Sequence, residues 1–188
     1  FRSRLIDEFT LLQNAFRVKG SEFKHILKIG RTQLQDAVPM TLGQEFSGFS
    51  TTIGEDIERL RDVLPLLLEL NLGATAIGTG ITAEASYASA VMRQLRKITG
   101  YNDLQTAHDL IEATSDTGVF MSLSSVIKRT AMKLSKICND LRLLSSGPQA
   151  GLGEINLPAR QAGSSIMPGK VNPVIPEAVN QVAFVIAG

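Results

Sequence analysis

Residues 41–64, TLGQEFSGFSTTIGEDIERLRDVL, place apolar side chains at Leu42, Phe46, Phe49, Ile53, Ile57, Leu60 and Leu64. Steps of three and four residues put these side chains on one face of an α-helix, and the pattern runs too far to be an alternating strand. Thr41, followed three residues later by Gln44, has the form of a capping box, in which each side chain reaches the other residue's backbone N–H. A helix is therefore expected to open here. Pro65 falls inside the continuing pattern and lacks an N–H, so it is expected to kink the helix or leave a gap in its hydrogen-bond ladder. Glu55, Asp56, Glu58, Arg59, Arg61 and Asp62 mix both signs between the apolar positions and read as a solvated face.

Two more long stripes extend the same reading outward. From Phe1 to about Ile29, Leu5, Phe9, Leu12, Phe16, Phe23, Ile26 and Leu27 recur at helical spacing and predict one long amphipathic helix. From Asp116 to about Leu144, Phe120, Leu123, Ile127, Ala131, Leu134, Cys138 and Leu141 predict another, stopped by Gly147-Pro148. A shorter helix is expected over Tyr87 to Ile98, with a turn at Gly100 to Asp103. No segment shows a convincing strand pattern, so the fold class is all-α, a bundle of long helices. The stripes are more apolar than a small monomer can bury, which implies homo-oligomerisation.

The 188 residues are 44% hydrophobic and 20% charged, which suits a folded domain. Nineteen basic against eighteen acidic residues leave a net charge of +1, so there is no basic field for nucleic acid or an anionic membrane surface. No apolar run reaches the roughly 20 residues of a spanning helix, and no signal-peptide pattern opens the chain. A cytoplasmic location is expected, with no nucleic-acid or membrane partner. Cys138 stands alone and reads as a small core residue; His25 and His108 lack zinc-type spacing, so no metal is expected. His108 beside Asp109 reads as a helix start or surface pair rather than a catalytic dyad. The chain opens on Phe1 within a helical pattern and stops at Gly188 after an apolar run, and both ends read as cuts in a longer protein.

Chemistry concentrates in Gly163-Ser164-Ser165-Ile166-Met167-Pro168-Gly169-Lys170-Val171-Asn172, which has neither helical nor strand period. Glycines at both ends permit close approach of a ligand, and Pro168 and Pro173 discourage helix. Ser164, Ser165, Lys170, Asn172 and backbone N–H groups make an anion cradle, with Pro176 and Glu177 opening a helix behind it. The glycine- and threonine-rich stretch Asn71 to Gly80 lacks the Gly-Lys-Ser/Thr ending of a phosphate loop, and reads as a connection passing close to other backbone.

The loop matches the G-S-x-x-M-x-x-K-x-N signature and resembles the fumarase and aspartase superfamily of lyases. Gly30 to Pro39 and Asn71 to Gly80 are similar to two other segments of that family. The resemblance implies that residues 1–188 are its central helical domain, without the smaller N-terminal and C-terminal domains, and that four subunits share one helical bundle. Ser164 would be the general base, Ser165 would hold the β-carboxylate, and Lys170 and Asn172 the α-carboxylate. Thr32 and Gln33 would line the substrate cleft near the leaving group, with Glu177 supporting them. Histidine is typical at the position of Gln33 in fumarases and glutamine is frequent in aspartases. Leu152 to Pro158 and Asn172 to Gln181 also resemble aspartases. The implied reaction converts L-aspartate to fumarate and ammonia through an enediolate, without an organic cofactor. Hydration of fumarate, or a non-catalytic helical oligomerisation module, remain the alternatives. Thr82 departs from the family, where asparagine is common, and leaves the role of that loop open. Because family sites draw on three subunits and on a serine- and threonine-rich N-terminal stretch that is not between Phe1 and Gly188, this chain alone is expected to form an oligomer without releasing ammonia.

Overall fold

The computed structural model describes residues 4–188; Phe1, where the first stripe begins, lies outside them. Helices carry most of the chain: α1 (Arg4–Glu22), α2 (Leu42–Val63), α3 (Tyr87–Thr99), α4 (Leu110–Ser115), α5 (Gly118–Leu144) and α6 (Val174–Ala187). Two small sheets join them, a hairpin of β1 (Leu27–Thr32) and β2 (Gln35–Thr41), and a parallel pair of β3 (Glu69–Leu70) and β4 (Gln105–Thr106). Contacts divide the chain into two compact units, residues 4–56 with Ile127–Gly188, and Ile57–Val126.

In the first unit α1 and α2 run antiparallel at close range. Gly20 and Gly43 make this possible: a Cβ on Gly43 would lie 2.4 Å from the Gly20 carbonyl, and one on Gly20 would lie 2.5 Å from Ser47 Oγ. Ser50 Oγ donates to the Gln13 carbonyl at 3.0 Å along the same seam. Phe16, Phe23, Phe46 and Phe49 then form an aromatic cluster with centroids 5.2–6.1 Å apart and tilted or edge-on rings, the arrangement their quadrupoles favour. The capping box forms as expected. Thr41 N donates to Gln44 Oε1 at 2.9 Å and Gln44 N to Thr41 Oγ1 at 3.1 Å.

The hairpin corrects the sequence reading twice, since α1 stops at Glu22 instead of continuing to Ile29 and strands do exist. Its turn residues Gln33 and Leu34 both have left-handed φ, 50° and 63°, the geometry of a hairpin turn usually announced by Asn-Gly. Without that signal, the apolar spacing of Phe23, Ile26 and Leu27 read as more helix. In the ladder Ala37 and Val38 stand opposite Gly30, a bulge that bends and twists the strands.

The charges of α2 give a third correction. Asp56 is fully buried rather than solvated, and its Oδ1 lies 2.9 Å from Arg129 and 3.5 Å from Lys133 of α5. Burial outweighs the two cations and raises its pKa. A further departure is Phe120, which the stripe placed inside and which is 66% exposed. Farther along, α5 holds α6 through Lys128 Nζ, which donates to the Ala187 carbonyl at 2.6 Å, and through Asn139, 2.8 Å from the buried Asn180.

Within the second unit α2 gives way at Pro65 to a 3-10 turn over Leu64–Leu68, the gap in the ladder that proline requires. Gly78 passes close to other backbone, as expected: a Cβ there would lie 2.4 Å from Ile111 N and Cα. Gly100, with φ 74°, caps α3 by donating its N–H to the Arg96 carbonyl. Asp109 caps α4, accepting from the N–H groups of Ile111 and Glu112, while His108 stays exposed. Asp109 is thus a helix-start residue.

Asp56→Ala empties a fully buried position and leaves Arg129 and Lys133 with Glu55 as their carboxylate partner, so it should lower unfolding free energy by about 1–2 kcal/mol. Glu58→Ala on the exposed face should change it by less than about 0.5 kcal/mol. Urea midpoints at constant slope measure both, and equal midpoints for the two variants would contradict the burial of Asp56.

Candidate active site

The signature loop folds through its own hydrogen bonds. Ser164 is half-buried; its Oγ accepts from Ile166 N at 3.2 Å and its carbonyl accepts from Met167 N at 3.2 Å. Lys170 N then donates to the Met167 carbonyl at 3.2 Å, and Gly169 between them takes a left-handed φ of 81°. Gly163 lets the loop close on itself, since a Cβ there would sit 2.4 Å from the Lys170 carbonyl. Ser165, Lys170 and Asn172 are exposed. Val174 N donates to the Asn172 carbonyl at 2.9 Å, and α6 begins at once, with Pro176 and the exposed Glu177 in its first turn. Hydroxyls, an ammonium, an amide and the positive end of a 14-residue helix therefore share one short segment.

Thr32 and Gln33 occupy the exposed tip of the hairpin. Among the described residues no hydrogen bond or ion pair joins them to Ser164, Ser165, Lys170, Asn172 or Glu177. The fold thus gathers five of the seven expected site residues in one stretch and carries the other two on a separate element.

What holds that element is a group of charges that the sequence reading passed over. Lys28 of β1, with a nearly inaccessible side chain, pairs with Glu45 in the first turn of α2 and lies 2.9 Å from Glu154 Oε2. Arg31 pairs with Glu154 Oε1, and its Nε lies 3.6 Å from Asp36. Glu154 itself is anchored by backbone, its N–H donating to the Leu144 carbonyl at the end of α5 at 2.8 Å. Burial disfavours the Lys28 ammonium, but the bonds to Glu45 and Glu154 outweigh it and raise its pKa. Burial likewise works against the Glu154 carboxylate, yet Arg31 and Lys28 bring its pKa below the ordinary 4.5. For Cys138, buried on α5, loss of solvent pushes the thiol up. Nothing in the one-dimensional spacing of Lys28, Arg31, Glu45 and Glu154 marks them as a group. Glu154 stood out only within the Leu152 to Pro158 stretch.

Among the described residues no three His, Cys, Asp or Glu side chains gather as a metal site, and no helix is long and apolar enough to cross a membrane.

A family model described as lyase matches residues 1–188, and the chain belongs to that family, the fumarase and aspartase superfamily. It is 65% identical over 185 residues to the aspartate ammonia-lyase of Pseudomonas fluorescens, covering 98% of this chain and 38% of the relative. Against the aspartate ammonia-lyase of Escherichia coli (strain K12) it is 57% identical, again over 98% of this chain and 38% of the relative. Among solved structures it superposes with a TM-score of 0.91 on a fumarate lyase:delta crystallin from Brucella melitensis bound to cobalt, 58% identical, covering 96% of this chain and 39% of that one. A class II fumarase from Schistosoma mansoni gives a TM-score of 0.92 at 36% identity, covering 99% of this chain and 42% of that one. The chain spans under half the length of these relatives. The expected helical fold is the superfamily's.

The charge network has a defined pH window. Glu154, with its folded pKa lowered, contributes stability that is present above 4.5 and lost as pH falls through the folded value. Lys28, with its folded pKa raised, contributes stability that is fully present below 10.5 and lost as pH rises through the folded value. Amide protection of residues 27–41 should therefore be steady near neutrality and fall once pH drops below 4.5. Protection that holds steady down to about pH 2 would show that the carboxylate contributes nothing.

Proposed function

We propose that this chain forms part of an aspartate ammonia-lyase, which converts L-aspartate to fumarate and ammonia. The observation that carries the reading is the closed loop from Gly163 to Asn172, with Lys170 and the start of α6 beside Ser164. Identities of 57–65% to proteins named for that activity support it.

Abstracting a proton from the β-carbon of L-aspartate spreads negative charge onto the adjacent carboxylate, so donors must be in place where that charge grows. Ser164 is the general base, and its hydroxyl needs an electropositive setting to lose its proton near neutrality. Lys170 and the amino end of α6 supply that setting. Ser165 holds the β-carboxylate; Lys170 and Asn172 hold the α-carboxylate, one as a compact charge and the other by directed hydrogen bonds. Gln33 accepts a hydrogen bond from the departing ammonium group, with Thr32 beside it and Glu177 supporting. A glutamine cannot shuttle protons as a histidine does, which favours ammonia over water as the leaving group. The reaction as drawn uses no organic cofactor.

Residues 1–188 act together as the central helical domain of this enzyme, in a cytoplasmic homotetramer. Val182, Phe184 and Val185 of α6, 58%, 65% and 82% exposed, with Phe120 and Met121 of α5, supply apolar surface for other subunits.

Ultraviolet absorbance of fumarate tests the assignment in the full-length enzyme: L-aspartate should turn over faster than L-malate, and the reverse order would make the protein a fumarate hydratase. Ser164→Ala should lower kcat at least about 100-fold with the fold intact by circular dichroism, and wild-type turnover would remove Ser164 as the base. Lys170→Ala should raise KM for L-aspartate at least about tenfold, and an unchanged KM would leave Lys170 a solvated side chain.

A further inference from the structure

The hairpin that carries Thr32 and Gln33 has little to fix it. Its tip residues are exposed, its turn places two non-glycine residues in the left-handed region, and a two-stranded ribbon alone is marginal in water. At its base the Leu42 N–H donates to the Ile26 carbonyl at 2.8 Å. Among the described residues, its ion pairs to the rest of its unit run from Lys28 to Glu45 and Glu154 and from Arg31 to Glu154. Only Arg31 lies on the tip side of the bulge at Gly30.

Glu154 spans that bulge. Its Oε2 faces Lys28 on one side and its Oε1 pairs with Arg31 on the other. In a flat strand two residues three apart point to opposite faces, yet here both cations of β1 reach one carboxylate. The other end of the link is firm, because Glu154 N and Ile155 N both donate to the Leu144 carbonyl, at 2.8 and 3.3 Å, and Gly153 N donates to the Ser146 carbonyl at 2.8 Å.

We propose that Glu154 is a positioning residue for the reaction: its carboxylate locks both sides of the hairpin bulge to the end of α5 and so fixes Gln33 against the departing amine. This rests on the aspartate ammonia-lyase reading. The group never touches substrate; it acts through Arg31, the neighbour of Thr32 and Gln33. The carboxylate anchors Ser165, Lys170 and Asn172 stand on another loop, so loosening the hairpin should affect the bond-breaking step more than substrate capture.

The test compares Glu154→Gln with wild type in the full-length enzyme, reading amide exchange and steady-state kinetics together. Exchange at residues 30–36 should speed up about tenfold. With L-aspartate kcat should fall at least about tenfold while KM stays within about twofold, the signature of lost orientation rather than lost binding. Glu154→Asp keeps the charge on a shorter arm that reaches one cation, and should fall between the two; it also serves if Glu154→Gln does not fold. Lys133→Met removes the ion pairs with Glu55 and Asp56, away from the hairpin, and should lower the melting temperature without changing kcat. Unchanged exchange at the hairpin overturns the proposal, as does faster exchange with wild-type kcat, or an equal loss of kcat in Lys133→Met. If wild type turns over L-malate and not L-aspartate, the assigned reaction fails, and the same kcat ratios measured with L-malate decide the role of Glu154.

Discussion

Burial of the α2 stripe is the constraint on which the rest of the structure depends. Leu42, Phe46, Phe49, Ile53, Ile57 and Leu60 are each at most 7% exposed, and every such side chain is worth about 1.5–3 kcal/mol when withdrawn from water. No surface ion pair approaches the sum. The stripe fixes the azimuth of α2, and that azimuth decides where its polar residues go. Small residues at Gly43, Ser47 and Ser50 then meet α1 closely enough for backbone contact, while the phenylalanines fill the space beside them.

Two buried charge groups sit on this frame and do different things. Asp56 is turned inward because it lies beside Ile53, Ile57 and Leu60 on the helix, and a carboxylate in that position is tolerable only with Arg129 and Lys133 opposite. It joins α2 to α5 at mid-length. The Glu154 group lies at an edge, where a ribbon without a core of its own depends on charge pairs for its place. Apolar packing sets the helices and ion pairs set the hairpin. The division follows from what each element has to bury.

The loop from Gly163 to Asn172 belongs to neither group. Its shape comes from glycine: Gly163 admits the Lys170 carbonyl and Gly169 takes the left-handed turn, so Ser164 and Lys170 are neighbours without any side-chain core between them. Such a loop uses the backbone N–H groups of Ile166, Met167 and Lys170 for its own turns and leaves the side chains of Ser165, Lys170 and Asn172 exposed. Apolar surface left on α5 and α6 is consistent with further packing against other chain.

The sequence by itself determined the local and periodic features. Period 3.6 located α2, α3 and α5, the Thr41 and Gln44 pair located a helix start to the residue, and Gly100 marked the turn that ends α3. The expectation of a site at Gly163 to Asn172 came from the sequence alone, because its residues are contiguous and their chemistry is carried by type and spacing. Tertiary structure alone decided what depends on partners remote in the chain. Leu27 and Ile29 looked helical until β2 supplied a ladder through a turn of Gln33 and Leu34 that carries none of the usual turn residues. Asp56 looked solvated because its burial depends on which flank of α2 meets α5, and Phe120 looked buried for the converse reason. Lys28 and Glu154 are 126 positions apart (154 − 28) in sequence and 2.9 Å apart in space. Propensity and periodicity act over a few residues, whereas the choice of a charge's partner is made only when distant segments close on the same core.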